Sequence, residues 1–385
     1  MCITRLQAWE CQLLAEYNSA PYPASAMLEA MQTVTLDTRR IRTHCWIQGP
    51  ENGEPLLLVH GNITTGRFWQ AVAERIPERF RVVAPDLRAF GRTERKPVDA
   101  TRGLRDWSDD LRVLLETLGW ADQRRVHAAG WSMGGGILQQ YEIDYPNDLA
   151  SLTLVAPLSP YGFGGTRDVQ GTPTYPDFAG SGGGTANPDF VRRLRERDAS
   201  EDEPVSSPRV VMRSYFWSSK YKAPDEQDLI EEVLLTEVGD DYYPGGAVAS
   251  RNWPGVGPAR TGVNNALSPA WCNTSAFGQV ARPAPVLWIR GDEDAVVSDE
   301  SLFDFGTLGK LGAVPGWPGD EVYPPQPQVS QTRAVFERRC AQGGSLREVV
   351  LAGVGHGPLI ERPEAVAQML VEHAQAASPR GALAG

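Results

Sequence analysis

The clearest chemical signature in this sequence lies at residues 130–134, which read G-W-S-M-G and match the pattern G-x-S-x-G. The apolar run RRVHAA precedes this motif and GGILQQYEI follows it, so a sharp turn from a strand into a helix is predicted. Small flanking residues let the chain pass close to itself there, and the first helical amides point at the serine hydroxyl. A glycine-rich turn that contains a serine by chance is the alternative, but this context favours Ser132 as a nucleophile.

A serine hydroxyl needs a base to take its proton, and the chain has five histidines. His356 is predicted to be that base, because it lies in GVGHGP directly after the last apolar strand. His44 and His127 lie within strand patterns, so structural roles are predicted for them. His373 lies on the closing helix and is predicted to be solvated, whereas His60 ends a strand and is predicted to stabilise the turn.

The base in turn needs a carboxylate that holds the correct tautomer. The strand-like run APVLWIR ends in GDED, which offers three acids. Asp294 is predicted because it follows the turn by the spacing usual for such loops, while Asp292 and Glu293 remain open, with solvated turn positions as their other interpretation. The earlier strand end VAPLSP offers no carboxylate. The resulting chain order is Ser132, Asp294, His356, the order of nucleophile, acid and base.

An acyl-transfer reaction also needs donors for the oxyanion. The backbone N–H of Met133, directly after the serine, is predicted to be one of them. The loop HGNI after the preceding apolar strand is predicted to supply the second, from the amide of Asn62, with Ile63 as the alternative. The other interpretation of this loop is that Gly61 only permits a turn.

These residues must be positioned by strands whose ends meet at one edge of a sheet. Continuous apolar runs predict buried strands, and they lie at 54–61, 79–87, 124–132, 149–158, 284–294 and 346–356. An alternating pattern over 31–49 predicts an antiparallel hairpin. Helical patterns at 108–120 and 363–377 complete an alternation of strands and helices. The sequence therefore predicts an α/β protein with a mostly parallel central sheet flanked by helices.

This alternation stops between residues 159 and 280, where Gly, Pro and aromatic residues predominate. Two helical pieces are predicted inside this stretch, near 188–197 and 224–237. The chain is therefore interpreted as a core domain formed by 1–158 and 281–385, interrupted by an insertion at 159–280. A second excursion from the core is predicted at 300–345.

Five segments together resemble signatures of the α/β-hydrolase superfamily, in its branch of lidded esterases, lactonases and C–C hydrolases. They are LLLVHGN, VVAPDLRAFGRT, AGWSMGGG, PVLWIRGDEDAVV and GVGHGPLIERPE. The resemblance implies the α/β-hydrolase fold, with residues 159–280 as its lid or cap. HGNITTGRFW is also similar to a loop of haloalkane dehalogenases, but Ser132 stands where those enzymes carry aspartate, so dehalogenation is not implied. Ala89 departs from the family, which has glycine there, and the interval between Asp294 and His356 is longer than in simple members.

The resemblance implies a serine hydrolase that cleaves a carboxylic ester or lactone, with a small hydrophobic molecule as substrate. Aromatic side chains are predicted to line its pocket, although they could equally form the lid's own core; they are Trp131, Tyr161, Phe163, Trp217 and Trp253. A C–C bond hydrolase or an acyltransferase with the same three residues is an alternative. A ligand-binding receptor with little turnover is the alternative outside enzymes.

Composition excludes several other classes of function. The formal net charge of −11 disfavours binding to nucleic acid or to an anionic membrane, and no apolar run is long enough for a membrane span. The five cysteines form no C-x-x-C pair, so no metal site or disulfide framework is predicted, nor any cofactor. Buried inert thiols and a cytoplasmic location are expected. Residues 1–18 are predicted to form an amphipathic helix rather than a signal peptide, 378–385 a frayed tail, and a homodimer is left open.

Overall fold

A central β-sheet carries the residues singled out above. The computed structural model describes residues 31–123 and 125–377, so the predicted N-terminal helix and the predicted C-terminal tail lie outside the described residues. The strands in the described part of the chain are β1 (Gln32–Asp37), β2 (Arg42–Gln48), β3 (Glu54–Val59), β4 (Phe80–Pro85), β5 (Val126–Trp131), β6 (Leu149–Val155), β7 (Val238–Gly239), β8 (Tyr243–Pro244), β9 (Ala247–Ala249), β10 (Val256–Pro258), β11 (Val286–Gly291) and β12 (Leu346–Leu351).

The helices pack around this sheet or belong to the segments that leave it. They are α1 (Gln70–Ala73), α2 (Arg105–Thr117), α3 (Met133–Asp144), α4 (Pro188–Glu196), α5 (Pro208–Tyr215), α6 (Glu226–Val233), α7 (Val263–Ala266), α8 (Phe305–Lys310), α9 (Gln328–Ala341), α10 (Pro358–Glu361) and α11 (Pro363–Ala377). Within residues 31–123 and 125–377, every helix is too short or too polar to cross a bilayer.

Eight strands form the main sheet, in the order β1-β2-β4-β3-β5-β6-β11-β12. β1 and β2 form the predicted antiparallel hairpin, and β2 also pairs antiparallel with β4. The other neighbours, from β4 to β12, all pair in parallel. Strands β3 and β5 are buried almost throughout because helices cover both faces of the sheet. The predicted mostly parallel sheet is confirmed, and its parallel strands end at a common edge.

The inserted segment, residues 156–285, leaves the sheet after β6 and returns at β11. Because β6 and β11 are direct neighbours in the sheet, this segment adds no strand between them. Helices α4 and α6 coincide with the two predicted helical pieces. The sequence patterns above do not predict helix α5, although it has a recognisable start: the Ser207 side chain accepts a hydrogen bond from the Val210 amide, and Pro208 opens the first turn.

The segment between β11 and β12 carries α8 and α9 and contains residues 300–345, for which an excursion from the core is predicted. Helix α9 packs against the core through Arg339, whose guanidinium lies 2.7 Å from the Glu142 carboxylate on α3. Both side chains are about 1% exposed. Arg339 also donates to the carbonyls of Phe277 and Ala284. One buried ion pair therefore joins the excursion, the end of the inserted segment and the helix that follows Ser132.

Three cysteines lie in the described part of the chain, and all of them are buried and outside any disulfide. Burial raises the pKa of Cys272 to about 12 and raises the pKa of Cys45 well above its ordinary value. Both side chains are therefore protonated thiols at neutral pH. The prediction of buried thiols is confirmed for Cys45, Cys272 and Cys340, whereas Cys2 and Cys11 lie outside the described residues.

Candidate active site

Ser132 lies at the turn between β5 and α3, in a strained conformation with φ 55° and ψ −120°. Two contacts to β6 and the loop after it hold this turn: the Ser132 amide donates to the Val155 carbonyl at 2.9 Å, and its carbonyl accepts from Leu158 at 2.9 Å. A Cβ on Gly130 would lie 2.5 Å from the Gly134 carbonyl oxygen. The flanking glycines are therefore required by close backbone approach, as the sequence predicts, and the strain amounts to about 1–3 kcal/mol.

His356 and Asp294, which follow β12 and β11, meet in the structure although 62 residues separate them. The His356 Nδ1 atom lies 2.9 Å from Asp294 Oδ2, and both side chains are 4% exposed. The other Asp294 oxygen accepts from the amides of Val296 and Val297 at 2.8 and 2.9 Å. Since a carboxylate only accepts, the Nδ1 atom carries the proton and Nε2 is left as the basic nitrogen.

The two neighbouring acids are directed elsewhere. Asp292 accepts a hydrogen bond from the Gly353 amide at 2.7 Å. The Glu293 carboxylate pairs with Lys220 at 2.8 Å, and its side chain is 36% exposed. Of the three candidate carboxylates, the structure thus brings only Asp294 to His356.

Trp131 connects the turn of Ser132 to the loop of His356. Its indole Nε1 donates to the His356 carbonyl oxygen at 2.7 Å, and the two rings lie 5.5 Å apart. The indole also stacks on Phe68 at 5.8 Å and meets Phe216 edge-on at 6.0 Å. Trp131 is only 1% exposed, so its ring fixes backbone around the site.

The loop after β3 passes directly beside Ser132. A Cβ on Gly61 would lie 3.1 Å from the Ser132 Cβ, which brings Asn62 next to the serine. The Ile63 amide donates to the Asn62 side-chain oxygen at 3.0 Å, so the alternative oxyanion donor is already engaged. Neither Asn62 nor Met133 has a partner for its backbone amide within residues 31–123 and 125–377. The predicted pair of donors is free, and the roles assigned to them stay predictions.

The other histidines have structural partners. His60 accepts from the Leu87 amide at 2.8 Å, and its Nδ1 lies 2.7 Å from the Gly61 carbonyl oxygen. Burial lowers the pKa of His60 to about 4, so the ring is neutral and braces the turn as predicted. His44 lies 2.9 Å from Asp86, and His127 lies 2.8 Å from the Ser151 hydroxyl.

His373 corrects one prediction. It is half-buried rather than solvated, and its Nε2 lies 3.1 Å from the Pro285 carbonyl oxygen. Burial lowers its pKa. The helical position alone suggested solvent, but α11 turns this face toward the start of β11.

The predicted pocket aromatics occupy different places. The Tyr161 hydroxyl lies 3.3 Å from Arg338, and Phe163 is half-buried against the core. Trp217 is 1% exposed, and its ring meets Tyr221 edge-on. Trp253 donates to the Pro315 carbonyl oxygen at 2.8 Å and packs 4.8 Å from Tyr323, which joins the inserted segment to the excursion. A substrate-lining role for these side chains stays a prediction.

The structure adds residues that sequence reasoning did not identify. Glu232 on α6 accepts from both terminal nitrogens of Arg92 at 2.8 Å and from the Thr65 hydroxyl at 2.7 Å. Asn264 on α7 accepts from the Asn62 side chain at 3.0 Å. Both residues join the inserted segment to the core, Asn264 through the loop after β3 and Glu232 through the loops after β3 and β4. Neither residue has a local sequence signal, because each pairs with a partner more than 130 residues away.

Comparison with known proteins decides the family. The sequence signature of the alpha/beta hydrolase family matches residues 56–369, which is most of the chain. This protein belongs to the alpha/beta hydrolase family. The resemblance that the five motifs suggested is thereby confirmed.

Sequence relatives of this hydrolase differ in their reactions. Lipase 1 of Psychrobacter immobilis is 34% identical over 119 residues, 31% of this chain and 36% of the lipase. The 2-hydroxy-6-oxo-2,4-heptadienoate hydrolase of a Pseudomonas putida strain is 32% identical over 106 residues, 27% of this chain and 37% of that enzyme. Fluoroacetate dehalogenase of a Burkholderia species is 29% identical over 132 residues, 34% of this chain and 42% of the dehalogenase. Each alignment therefore spans less than half of the relative.

Solved structures resemble this hydrolase over nearly all of its length. An esterase from Rhodococcus sp. ECU1013 superposes with a TM-score of 0.55 at 16% identity, covering 91% of this chain and 100% of the esterase. An esterase from Exiguobacterium antarcticum gives a TM-score of 0.54 at 15% identity, covering 89% and 100%. At these identities the likeness concerns the fold, and it confirms the α/β-hydrolase fold.

Proposed function

We propose that this hydrolase cleaves a carboxylic ester or lactone through an acyl-enzyme on Ser132. The observation that carries the proposal is the 2.9 Å contact between His356 and Asp294, at the same sheet edge as the strained turn of Ser132. A buried carboxylate on Nδ1 leaves Nε2 as a base, and such a base is what activates a serine hydroxyl.

The proposed reaction has two halves. His356 Nε2 takes the Ser132 proton while the serine oxygen attacks the substrate carbonyl, and the amides of Met133 and Asn62 stabilise the oxyanion. The carbon–oxygen bond to the alcohol then breaks, and the alcohol leaves with the proton from His356. In the second half His356 deprotonates water, which attacks the acyl-enzyme and restores Ser132. Asp294 keeps the imidazole oriented and stabilises its charged form throughout.

We propose a hydrophobic small molecule as the substrate. Aromatic rings support this proposal: Trp131 lies 5.5 Å from the His356 ring, and Phe216 packs against Trp131. A series of p-nitrophenyl esters with increasing acyl length tests this proposal, and a preference for short polar acids over apolar ones would contradict it. We also propose a cytoplasmic location, because Cys45 and Cys272 are buried thiols rather than members of a disulfide.

A C–C bond hydrolase is the second candidate. The Pseudomonas putida relative is named as a hydrolase of 2-hydroxy-6-oxo-2,4-heptadienoate, which contains no ester bond, so a carbon–carbon bond is the one available for hydrolysis. The same three residues can also transfer an acyl group to an acceptor other than water. Product analysis separates these reactions: a C–C hydrolase releases two carbon fragments from a β-diketone-type substrate, whereas an acyltransferase forms a new ester when an alcohol is supplied. A ligand-binding receptor would show neither product.

The first test uses a fluorophosphonate probe, which reacts with an activated serine irrespective of substrate. We expect intact-mass analysis to find one adduct on the wild type and none on Ser132→Ala. Hydrolysis of activated esters should fall by about 10⁶-fold in the variant, to the level that binding and the oxyanion donors leave. An unlabelled, correctly folded wild type would contradict the proposed function and favour a binding protein.

A further inference from the structure

The loop of His356 lies directly against the backbone of the inserted segment. A Cβ on Gly355 would lie 2.5 Å from the Trp217 carbonyl carbon, and a Cβ on Gly357 would lie 2.5 Å from the Phe216 carbonyl oxygen. The two glycines on either side of the base therefore let residues 216–218 cross both flanks of His356. This contact accounts for the G-H-G sequence in terms of packing rather than of turn geometry alone.

Glu361 lies at the centre of this contact. It ends α10, only 5% of it is exposed, and its Oε1 accepts the Gly355 amide at 2.6 Å. Burial raises the pKa of Glu361, while the Gly355 amide and the backbone and hydroxyl of Ser218 act in the opposite direction. The carboxyl group therefore faces both the His356 loop and the inserted segment.

A buried carboxyl group loses its hydration, so hydrogen bonds from the protein must compensate for that loss. Glu361 is not among the hydrogen-bond partners of Asp294, which are His356 and the amides of Val296 and Val297. Glu361 therefore does not duplicate the orienting acid. What it does contact is the amide immediately before His356, which sets the direction of that backbone.

We propose that Glu361 is a positioning residue that ties the loop of His356 to residues 216–218 of the inserted segment. The base is then aligned with Ser132 only while this part of the inserted segment is seated on Gly355 and Gly357. The inference rests on the proposed function, because it assigns Glu361 a role through the base. It adds that the inserted segment organises the base as well as covering the site.

The test compares Glu361→Ala, Glu361→Gln and Glu364→Ala in the full-length protein. Glu364 is the matched control, because its side chain is 52% exposed and pairs with Arg75 on the surface. The rate of labelling by the fluorophosphonate should fall about 10- to 100-fold in Glu361→Ala, the effect of an ångström-scale misplacement of the base. Glu361→Gln keeps an acceptor for the Gly355 amide and should remain within about fivefold of the wild type, the worth of one hydrogen bond. Glu364→Ala should label at the wild-type rate.

A second readout does not depend on catalysis. The Nδ1 proton between His356 and Asp294 should give a downfield proton NMR signal, assigned by its loss in Asp294→Ala. We expect Glu361→Ala to weaken or shift this signal and Glu361→Gln to restore it, which a merely structural role would not require. If the wild type is not labelled, the proposed function fails, and the NMR signal still decides the positioning role.

A folded Glu361→Ala protein with the wild-type labelling rate and the wild-type NMR signal would overturn the inference. If this variant does not fold, Ser218→Ala probes the other end of the same link. We expect a several-fold slower labelling rate in Ser218→Ala, because it removes one of the groups that face Glu361. Wild-type behaviour of Ser218→Ala in both readouts would then overturn the proposal.

Discussion

At the scale of single residues, the chemistry depends on which atoms face each other across the ends of the strands. Asp294 differs from Asp292 and Glu293 in its burial and in its contact with the imidazole, although the three are consecutive in sequence. An orienting acid must be held rigidly, and the Val296 and Val297 amides hold its second oxygen. A difference of one or two positions along the chain thus separates a candidate catalytic group from solvated neighbours.

Asp294→Asn should lower kcat for ester hydrolysis by about 10⁴-fold, because an amide can donate to Nδ1 and so stabilise the wrong tautomer. Its oxygen can still accept from the Val296 and Val297 amides, so thermal unfolding should change little. The comparison variant is Asp292→Asn, which keeps an acceptor for Gly353 and should hydrolyse esters at the wild-type rate. Equal losses in both variants would contradict the assignment of Asp294.

Ala89 stands where the family has glycine, and the structure shows that its backbone is strained. Its φ of 74° lies in the left-handed region, where glycine is favoured and alanine is strained. The residue is 3% exposed, and its carbonyl accepts from the Glu237 amide at 2.9 Å. The chain therefore tolerates strain at the point where the loop after β4 meets the inserted segment.

At the scale of secondary-structure elements, the start of α3 must approach the end of β3 closely. A Cβ on Gly134 would lie 2.4 Å from the Val59 carbonyl oxygen and 2.5 Å from that of His60. These atoms belong to backbone, so the helix or the strand would have to shift. The loop that follows β3 therefore lies beside the turn of Ser132, where a Cβ on Gly61 would lie 3.1 Å from the Ser132 Cβ.

Gly134→Ala should therefore lower kcat by about 100-fold and destabilise the fold by about 1–3 kcal/mol. Gly136→Ala is the matched control on the same helix, since the nearest atoms to its Cβ are side-chain atoms of Leu158 and Leu104 at 3.1–3.2 Å. Alanine is also the better helix former by about 1 kcal/mol. Steady-state kinetics and thermal unfolding of the two variants check the prediction; similar behaviour of both would argue against it.

A second prediction at this scale concerns the buried ion pair between Glu142 on α3 and Arg339 on α9. Arg339→Leu should lower the free energy of unfolding by about 3–5 kcal/mol, because it leaves the Glu142 carboxylate buried without its partner. Lys310→Ala, which removes an exposed partner of Glu300, should lower it by less than about 1 kcal/mol. Urea unfolding measures both values. A small effect of Arg339→Leu would mean that Glu142 is accommodated in its neutral form.

At the scale of the whole molecule, buried titratable groups couple stability to pH. Burial lowers the pKa values of His60 and His127 to about 4, so the unfolded chain takes up their protons first as the pH falls below about 6.5. Stability is therefore lost between pH 6.5 and 4. Asp304 acts in the opposite direction, because burial raises its pKa to about 6 and its folded form binds a proton earlier.

His127→Gln isolates one of these contributions. Relative to the variant, the wild type should lose roughly 2.4 kcal/mol of stability between pH 7 and pH 4.5, since only the wild type must keep a histidine neutral at that position. Urea unfolding of both proteins at the two pH values measures how their difference in unfolding free energy changes with pH. An advantage that does not change with pH would show that His127 is protonated without penalty in the folded protein.

The sequence by itself determined the features that local patterns encode. Apolar runs and helical periodicity predict the sheet strands, α2 and α11, and the strand-to-helix context of G-x-S-x-G predicts the turn of Ser132. The sequence also predicts that Ser132, Asp294 and His356 lie at one edge of the sheet, because each follows a predicted strand and parallel strands end at the same edge. The start of α5 could have been found from Ser207 and Pro208, but helix α9 combines buried polar and charged residues that weaken its periodicity.

Only the tertiary structure decided which groups meet. The contacts of Glu232 with Arg92, Asn264 with Asn62 and Glu361 with Gly355 depend on how the inserted segment and the last loop settle on the core. The contact of Trp253 with Tyr323 depends on the same packing. These contacts join elements that are distant in sequence, and they depend on the direction of individual side chains. The spacing of apolar residues along one helix or strand indicates which of its faces is buried, but not which distant residue that face will contact.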